Sequence, residues 1–201
     1  MTYSEAVQRG IELQAFSAEN ADLILSWRNA EHVRANSLDE TIIEKDVHLG
    51  FVERLASTPK VDFFVVVIDG IPAAVLNVDA SSERAFWGCY LAPGNAPKPG
   101  VFPLLIMIAG HLAFNHYGVS ELRSDVLEHN TPPQKMNAFL GIPVIGRRTV
   151  KRASGTEIEV LEYCIGPEDF AEVKSIAVKL LTRHYRESFD AFAALNGEST
   201  T

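Results

Sequence analysis

The chain has 201 residues, 47% of them hydrophobic, which is enough to bury one full core, so we expect a single domain over residues 1–201. Its formal net charge of −8 argues against the basic surface of a nucleic-acid-binding protein. Cys89 and Cys164 both lie in apolar strand patterns and are predicted to be buried and reduced. The start lacks the pattern of a secretory signal, and no apolar run reaches the ~20 residues of a membrane span, so we predict a cytoplasmic protein without a membrane partner.

Hydrophobic periodicity predicts the elements of the first half of the chain. Apolar residues alternate in strands and recur at three- and four-residue spacing in helices, and Asp69-Gly70 is typical of a two-residue hairpin turn. The buried face of the second helix is predicted to carry Val47, Phe51, Val52 and Leu55. In chain order the predicted elements are a strand at 11–16, helices at 22–35 and 46–56, and strands at 61–68, 71–78 and 84–91.

Proline and glycine mark the elements of the second half. Pro103 suits the first turn of a helix and Gly118 the position after its last turn, while Pro132 and Pro133 open another helix, where their missing N–H groups cost little. The predicted elements are a helix at 101–117, a strand at 122–127, a helix that stops at Gly141, and hairpin strands at 144–152 and 157–165. One further amphipathic helix over 167–190 is expected to pack on the core, with a homodimer contact as the alternative, ahead of a tail at 191–201.

The run from Leu122 to Ile142, LRSDVLEHNTPPQKMNAFLGI, is the most informative part of the chain. Its asparagine, followed by a helix and then by glycine and an apolar residue at the twelfth and thirteenth positions, resembles the acyl-CoA segment of the Gcn5-related N-acetyltransferase superfamily. The order of the elements over residues 10–166 resembles the same fold. The resemblance implies an α+β architecture, with splayed fourth and fifth strands in a mostly antiparallel seven-stranded sheet, and an N-acetyltransferase that uses acetyl-CoA as co-substrate.

The resemblance also implies where acetyl-CoA binds. A helix N-terminus carries a partial positive charge and unpaired N–H groups, so the loop before the helix at 101–117 is expected to hold the pyrophosphate. The backbone of the fourth strand would bond the pantetheine amides, with a nearby N–H polarising the thioester carbonyl. Asn130 either contacts the cofactor or only caps a helix. The predicted cofactor-binding residues are Cys89, Leu91, Lys98, Gly100, Val101 and Asn130.

Three residues are predicted to act in the transfer of the acetyl group. By the resemblance, Asp125 is the general base, directly or through water, and Glu128 and His129 are the alternatives. The superfamily usually carries its acid, a tyrosine, at the position of Asn137; asparagine can form a hydrogen bond to sulfur but cannot donate a proton at neutral pH. Tyr90 is the alternative proton donor.

The acceptor side carries a second resemblance. Trp27-Arg28-Asn29, Val33-Arg34 and the segment 48–55 are similar to the N-acetyltransferases of the pseudaminic-acid pathway of flagellin glycosylation. These enzymes acetylate the amine of a UDP-linked 4-amino-4,6-dideoxy sugar. The resemblance implies a UDP-amino sugar bound by Arg28 and His48, since a guanidinium fits a pyrophosphate or a uracil. By periodicity alone, both are polar surface residues of helices, and Trp27 is a core residue.

Two other functions fit the same sequence. One is acetylation of a protein N-terminus or a small amine. The other is a catalytically degenerate acyl-CoA-binding protein, which Asn137 and Phe102 favour. His111 and His116 share a helix but lack the spacing of zinc ligands, so we expect no metal.

Overall fold

The computed structural model of the protein describes residues 10–94 and 100–196. The elements in chain order are β1 (Ile11–Ala15), α1 (Ala21–Arg28), α2 (Glu31–Ala35), α3 (Lys45–Leu55), β2 (Val61–Ile68), β3 (Ile71–Asp79), β4 (Arg84–Leu91), α4 (Val101–Gly110), a π-helical segment (His111–His116), β5 (Glu121–Leu127), α5 (Thr131–Phe139), β6 (Val144–Lys151), β7 (Glu157–Ile165), α6 (Pro167–Leu180) and α7 (Arg183–Asn196). The seven strands of the described residues join one sheet in the order β1-β2-β3-β4-β5-β7-β6, and among them only β4 and β5 pair in parallel. The predicted α+β architecture is confirmed.

The predicted helix over 22–35 is two helices, so that prediction was wrong. Ala30 has extended backbone (ψ 138°) between α1 and α2. The preceding residue explains the break, because the Asn29 side chain is bonded to the backbone of Ile43: its amide donates to the carbonyl, and its oxygen accepts from the N–H, both at 2.9 Å. Because the asparagine side chain bonds the backbone of a distant segment, the helix is interrupted after this residue.

The predicted single helix over 167–190 also divides. Leu181 is extended (ψ 143°), and the hydroxyl of Thr182 accepts a hydrogen bond from the backbone N–H of Tyr185 at 3.2 Å, which starts α7 as a separate helix. The predicted helix over 101–117 continues past α4 only as the π-helical segment.

The buried face of α3 differs from the predicted one. Val47 is 63% exposed, so its assignment to the core was wrong. Val52 is buried, as predicted, and His48 is buried in place of Val47. Phe51 packs edge-on against Phe63 of β2 with the ring centroids 5.2 Å apart. The buried face of the helix therefore differs from the prediction at its first position, where a histidine takes the place of Val47 in the core.

The core lies on both sides of α4. Nearly every residue of α4 is buried, between one face of the sheet and the two C-terminal helices. Phe170 of α6 lies so close to Gly110 of α4 that a methyl group on that glycine would overlap its ring. The C-terminal extension thus packs on its own core, and a homodimer stays a prediction. Among residues 10–94 and 100–196, no helix is both long and apolar enough to cross a bilayer.

Candidate active site

A cleft opens where β4 and β5 separate. The two strands pair only over residues 84–86 and 121–123; beyond these, β4 stays paired with β3 and β5 with β7. The facing edges of both strands therefore carry backbone N–H and C=O groups that have no strand partner in the described part of the chain. The cleft has a volume of about 580 Å³, which lies in the usual range for small-molecule sites.

Aromatic side chains form much of the wall of the cleft. Phe63 packs against Phe16 and Phe51 with ring centroids 5.3 and 5.2 Å apart, and Trp87 packs against Phe102 at 6.0 Å. All five rings line the cleft. A mainly apolar pocket with a few placed polar groups is the usual form of a small-molecule site, so the polar groups identify its chemistry.

Asn137 of α5 is the most buried of the polar residues that line the cleft. It is 2% exposed, and its Oδ1 atom is shielded from solvent without a hydrogen-bond partner among the described residues. Tyr163 of β7 is its polar neighbour: burial raises the pKa of Tyr163, and an interaction with the Asn137 side chain acts in the opposite direction. A buried carbonyl oxygen without a donor costs free energy, which a ligand N–H in the cleft would recover.

Asp125 lines the cleft from β5, where its carboxylate is paired with Arg148 of β6. Arg148 also bonds Glu162 of β7 through its Nε at 3.1 Å, so the guanidinium is held from two sides. The pair with Arg148 uses Oδ2 of Asp125. Oδ1 is therefore the oxygen that can accept a proton or a hydrogen bond from a molecule in the cleft.

The two alternative bases lie outside the cleft lining. Glu128 pairs with Arg147 at 3.1 Å and is half exposed. His129 bonds the carbonyl oxygen of Ala35 through Nε2 at 3.0 Å. Both side chains are engaged in surface contacts, so the structure brings neither to the place where Asp125 lies.

Cys89 and Tyr90 of β4 both line the cleft. Burial raises the pKa of the Cys89 thiol to about 12, so this thiol stays protonated at neutral pH and is a poor nucleophile. Burial also raises the pKa of Tyr90, while the charge of Arg28 acts in the opposite direction. The phenol of Tyr90 is therefore protonated at neutral pH and can donate a hydrogen bond.

Arg28 projects from the end of α1 into the lining of the cleft. Its Nη2 donates to the carbonyl oxygen of Asp39 at 2.7 Å. Its Nη1 is shielded from solvent and has no hydrogen-bond partner among the described residues. The carboxylate of Asp39 lies on the same rim, where hydrogen bonds from the side chain and backbone of Thr41 lower its pKa. This end of the cleft presents one cation and one anion.

His48 also lines the cleft but is anchored to α1. It is 4% exposed, and its Nε2 lies 3.0 Å from the carbonyl oxygen of Ala21, so Nε2 must carry the proton and donate. Burial lowers the pKa of His48, which favours the neutral ring. In that tautomer Nδ1 is an acceptor. His48 can thus accept a hydrogen bond from a hydroxyl but supplies no positive charge to a phosphate.

The predicted cofactor residues divide between the cleft and its border. Cys89 and Asn130 line the cleft, whereas Leu91, Gly100 and Val101 do not, and Lys98 lies outside the described residues. Asn130 makes no side-chain cap to α5, so its carboxamide is not used as a simple cap. Gly100 precedes α4 in a left-handed conformation (φ +93°), a conformation that favours glycine.

Asn77 and Ser124 are among the polar cleft residues that were not predicted as site residues. Asn77 of β3 lies opposite Gly88 of β4, and a Cβ atom on Gly88 would come within 2.9 Å of the Asn77 Oδ1. Gly88 therefore leaves the space that the Asn77 carboxamide occupies. The signal was available in the sequence, since asparagine is unusual within a buried strand. Ser124 lines the cleft next to Asp125 and gave no comparable signal.

Within residues 10–94 and 100–196, histidine, cysteine and carboxylate side chains form no cluster that could hold a metal ion. The polar groups that line the cleft are two carboxylates, a guanidinium, amides, hydroxyls and an imidazole. Such a set can position an amine and accept its proton.

No protein-family model matches the chain, and no curated protein matches it. Solved structures do match its fold. The N-acetyltransferase PseH of Campylobacter jejuni in complex with acetyl coenzyme A is 18% identical, with a TM-score of 0.58, over 78% of this chain and 98% of that one. The aminoglycoside acetyltransferase AAC(6')-Ib with coenzyme A and kanamycin is 13% identical, with a TM-score of 0.65, over 80% and 97%.

These similarities show the class of fold. The mixed sheet with splayed β4 and β5, flanked by helices, is the fold of Gcn5-related N-acetyltransferases. At 13–18% identity the likeness concerns the fold, and the activity has to be argued from the residues of the cleft.

Proposed function

We propose that this protein is an N-acetyltransferase that moves the acetyl group of acetyl-CoA to the amine of a nucleotide-linked amino sugar. Acetyl-CoA and coenzyme A are bound by structural neighbours of the same fold, and the unpaired backbone edges of the cleft suit the amides of pantetheine. A UDP-linked 4-amino-4,6-dideoxy sugar is the acceptor that best matches the charges at the other end of the cleft.

The observation that carries the acceptor proposal is the unpartnered Nη1 of Arg28. A guanidinium that is bonded on one side to the Asp39 carbonyl keeps its other N–H groups for a planar anionic or carbonyl partner. A pyrophosphate or a uracil would supply that partner after a small movement of the side chain. The Asp39 carboxylate on the same rim disfavours a second free anion there and suits an ammonium or a sugar hydroxyl instead.

Each step of the acetyl transfer is assigned to a residue of the cleft. The nitrogen lone pair of the acceptor attacks the thioester carbonyl carbon, and the C–N bond forms as the C–S bond breaks. The proton lost by nitrogen passes through water to Oδ1 of Asp125. The sulfur leaves with the bonding electron pair as a thiolate, to which the phenol of Tyr90 donates a hydrogen bond, and takes its proton from solvent. Asn137 orients the pantetheine or the thioester by a hydrogen bond.

A second function is favoured by one specific residue. Asn137 stands where the superfamily usually carries its tyrosine acid, and an amide cannot replace a phenol as proton donor. A protein that binds acyl-CoA without transferring the acyl group would have the same fold and the same cleft. Binding of acetyl-CoA with no turnover on any amine is the result that separates this function from the proposed one.

The experiment titrates UDP and a UDP-4-amino-4,6-dideoxy sugar against the wild type and Arg28→Ala, with acetyl-CoA as a second ligand. Loss of a charge-assisted hydrogen bond of about 1.5–3 kcal/mol predicts roughly ten- to a hundredfold weaker binding of the UDP ligands, with the acetyl-CoA affinity unchanged. Arg54→Ala is the matched control, since Arg54 is an exposed arginine of α3 that does not line the cleft. If the wild type binds neither UDP ligand, the acceptor is not a sugar nucleotide and belongs to another class.

A further inference from the structure

The outer wall of the acceptor end is the segment 36–43, called here the acceptor wall. It has neither helix nor strand, yet it contributes several residues to the cleft lining. These residues are Asn36, Ser37, Leu38, Asp39 and Ile43. A segment without regular structure has no hydrogen-bond ladder of its own, so its position has to be set by side chains from elsewhere.

One side of the acceptor wall is fixed by the neighbouring helices. Asn29 bonds the backbone of Ile43 twice at 2.9 Å, and Nη1 of Arg34 donates to the carbonyl oxygen of Glu40 at 3.0 Å. Arg28 donates to the carbonyl oxygen of Asp39. The bond between Arg28 and the Asp39 carbonyl makes the acceptor wall part of the site, because the wall thereby holds the Arg28 guanidinium that lines the cleft.

The other side is fixed by Arg152, which follows β6 and is distant in sequence. Its Nη2 donates to the carbonyl oxygens of Ala35 at 2.9 Å and Ser37 at 2.8 Å, 117 and 115 residues away. Its Nε forms an ion pair with Oε2 of Glu40 at 3.0 Å, and both side chains are mostly shielded. The Ser154 backbone N–H completes the contact by donating to Oε1 of Glu40 at 3.2 Å.

We propose that Arg152 is a positioning residue for the acceptor: it holds the acceptor wall against the β6–β7 hairpin and so keeps Arg28 aimed into the cleft. The proposal rests on the proposed function, in that the cleft end lined by Arg28 and the wall receives the acceptor. Arg152 does not itself line the cleft, and its side chain reaches a lining residue at the carbonyl oxygen of Ser37. Its effect therefore passes through Ser37, Glu40 and the carbonyl of Asp39.

The test compares Arg152→Gln with the wild type by two measurements. Hydrogen–deuterium exchange of the backbone amides of residues 36–43 measures how firmly the acceptor wall is held, and it does not require enzymatic activity. Steady-state kinetics with acetyl-CoA and a UDP-4-amino-4,6-dideoxy sugar reports on the acceptor. We expect faster exchange in the wall and a KM for the sugar raised by about tenfold or more, the size expected for lost hydrogen bonds to a charged group, while kcat and the KM for acetyl-CoA change little.

Two further variants keep the result interpretable. Arg147→Ala removes an exposed ion pair with Glu128 at β6, the strand that precedes Arg152, and is expected to change neither measurement. Glu40→Gln removes the charge opposite Arg152 while it keeps an oxygen for Ser154, and it is expected to give a smaller change in the same direction. A circular dichroism spectrum and a melting curve show whether each variant folds. If Arg152→Gln does not fold, the same two measurements on Glu40→Gln test the proposal.

Unchanged exchange in the wall would overturn the proposal, and so would faster exchange with an unchanged KM for the sugar. A parallel rise in the KM for acetyl-CoA would also overturn it, because the effect would then extend to the whole cleft. If the wild type turns over no amine, the proposed function fails, while the exchange measurement still decides whether Arg152 holds the wall.

Discussion

Asp125 of β5 and Arg148 of β6 form an ion pair across β7, the strand between them. The pair places a carboxylate in the cleft lining with one oxygen engaged and the other available. Arg148 is itself held by Glu162. The guanidinium thus fixes the direction of the carboxylate. This arrangement suits a general base, because the available carboxylate oxygen has a fixed position from which to accept a proton.

Replacement of Asp125 by asparagine is expected to lower kcat for acetyl transfer by about a hundredfold or more, since general base catalysis typically contributes 10²- to 10⁴-fold. The amide keeps the size of the side chain and can still accept a bond from Arg148, so the cleft should keep its shape. The measurement is kcat together with the acetyl-CoA dissociation constant. Unchanged kcat would remove Asp125 from the mechanism, and Glu128→Gln serves as the control because Glu128 lies outside the cleft.

Asn137→Leu tests the buried amide of the cleft lining. Leucine has a similar size but no polar atom, so it removes the hydrogen bond and keeps the packing. We expect kcat to fall by roughly tenfold or more, as for the loss of one positioning hydrogen bond, with a small change in melting temperature. Tyr163→Phe removes the polar neighbour of Asn137 and should give a weaker effect of the same sign. A variant with full kcat would show that Asn137 only fills space.

Cys89→Ala tests whether the acetyl group passes through the protein. Because burial raises the pKa of Cys89 to about 12, almost none of its thiol is ionised at neutral pH, and we expect direct transfer with no acyl-cysteine. The variant should keep kcat within about twofold, since an unionised thiol is a poor nucleophile. Mass spectrometry of the wild type after mixing with acetyl-CoA alone should show no acetylated protein. Loss of activity together with an acetylated wild type would contradict direct transfer.

The neutral state of His48 predicts a dependence of stability on pH. Burial holds the pKa of His48 below its usual value, so as the pH falls below about 6.5 the unfolded chain takes up a proton that the folded protein resists. This residue therefore contributes stability above that pH and loses it on acidification. His48→Gln keeps a donor for the Ala21 carbonyl but cannot titrate.

Melting curves of the wild type and His48→Gln between pH 5.5 and 7.5 measure this contribution. The melting temperature of the wild type should fall more steeply on acidification than that of the variant. Equal slopes would show that His48 titrates alike in both states. His32→Gln, an exposed histidine of α2, is the control and should follow the wild type.

Periodicity predicted the strands because each is packed on at least one face, and Asp69-Gly70 predicted the hairpin because both residues have positive φ, 54° and 75°. The helix boundaries at Asn29 and Thr182 were not predicted. Both depend on side chains that bond the backbone in the folded protein, and local propensity does not record such contacts.

The same distinction applies to the site. Arg28, Asp125 and Asn137 could be named from the sequence because a family resemblance supplied the alignment, and all three line the cleft. The acceptor wall could not be predicted, since its position depends on Arg152, more than a hundred residues away. Local sequence patterns do not predict contacts between segments so distant in sequence.

The most direct test of the central claim is the transfer itself, measured by mass spectrometry of a UDP-4-amino-4,6-dideoxy sugar after incubation with acetyl-CoA and the protein. Spermine and kanamycin are parallel acceptors, and Asp125→Asn is the control protein. We predict a product heavier by one acetyl group, formed fastest on the UDP-amino sugar, and a wild type that acetyl-CoA at a hundred times its dissociation constant stabilises by about 2.7 kcal/mol. Absence of both the acetylated product and the stabilisation by acetyl-CoA would contradict the account.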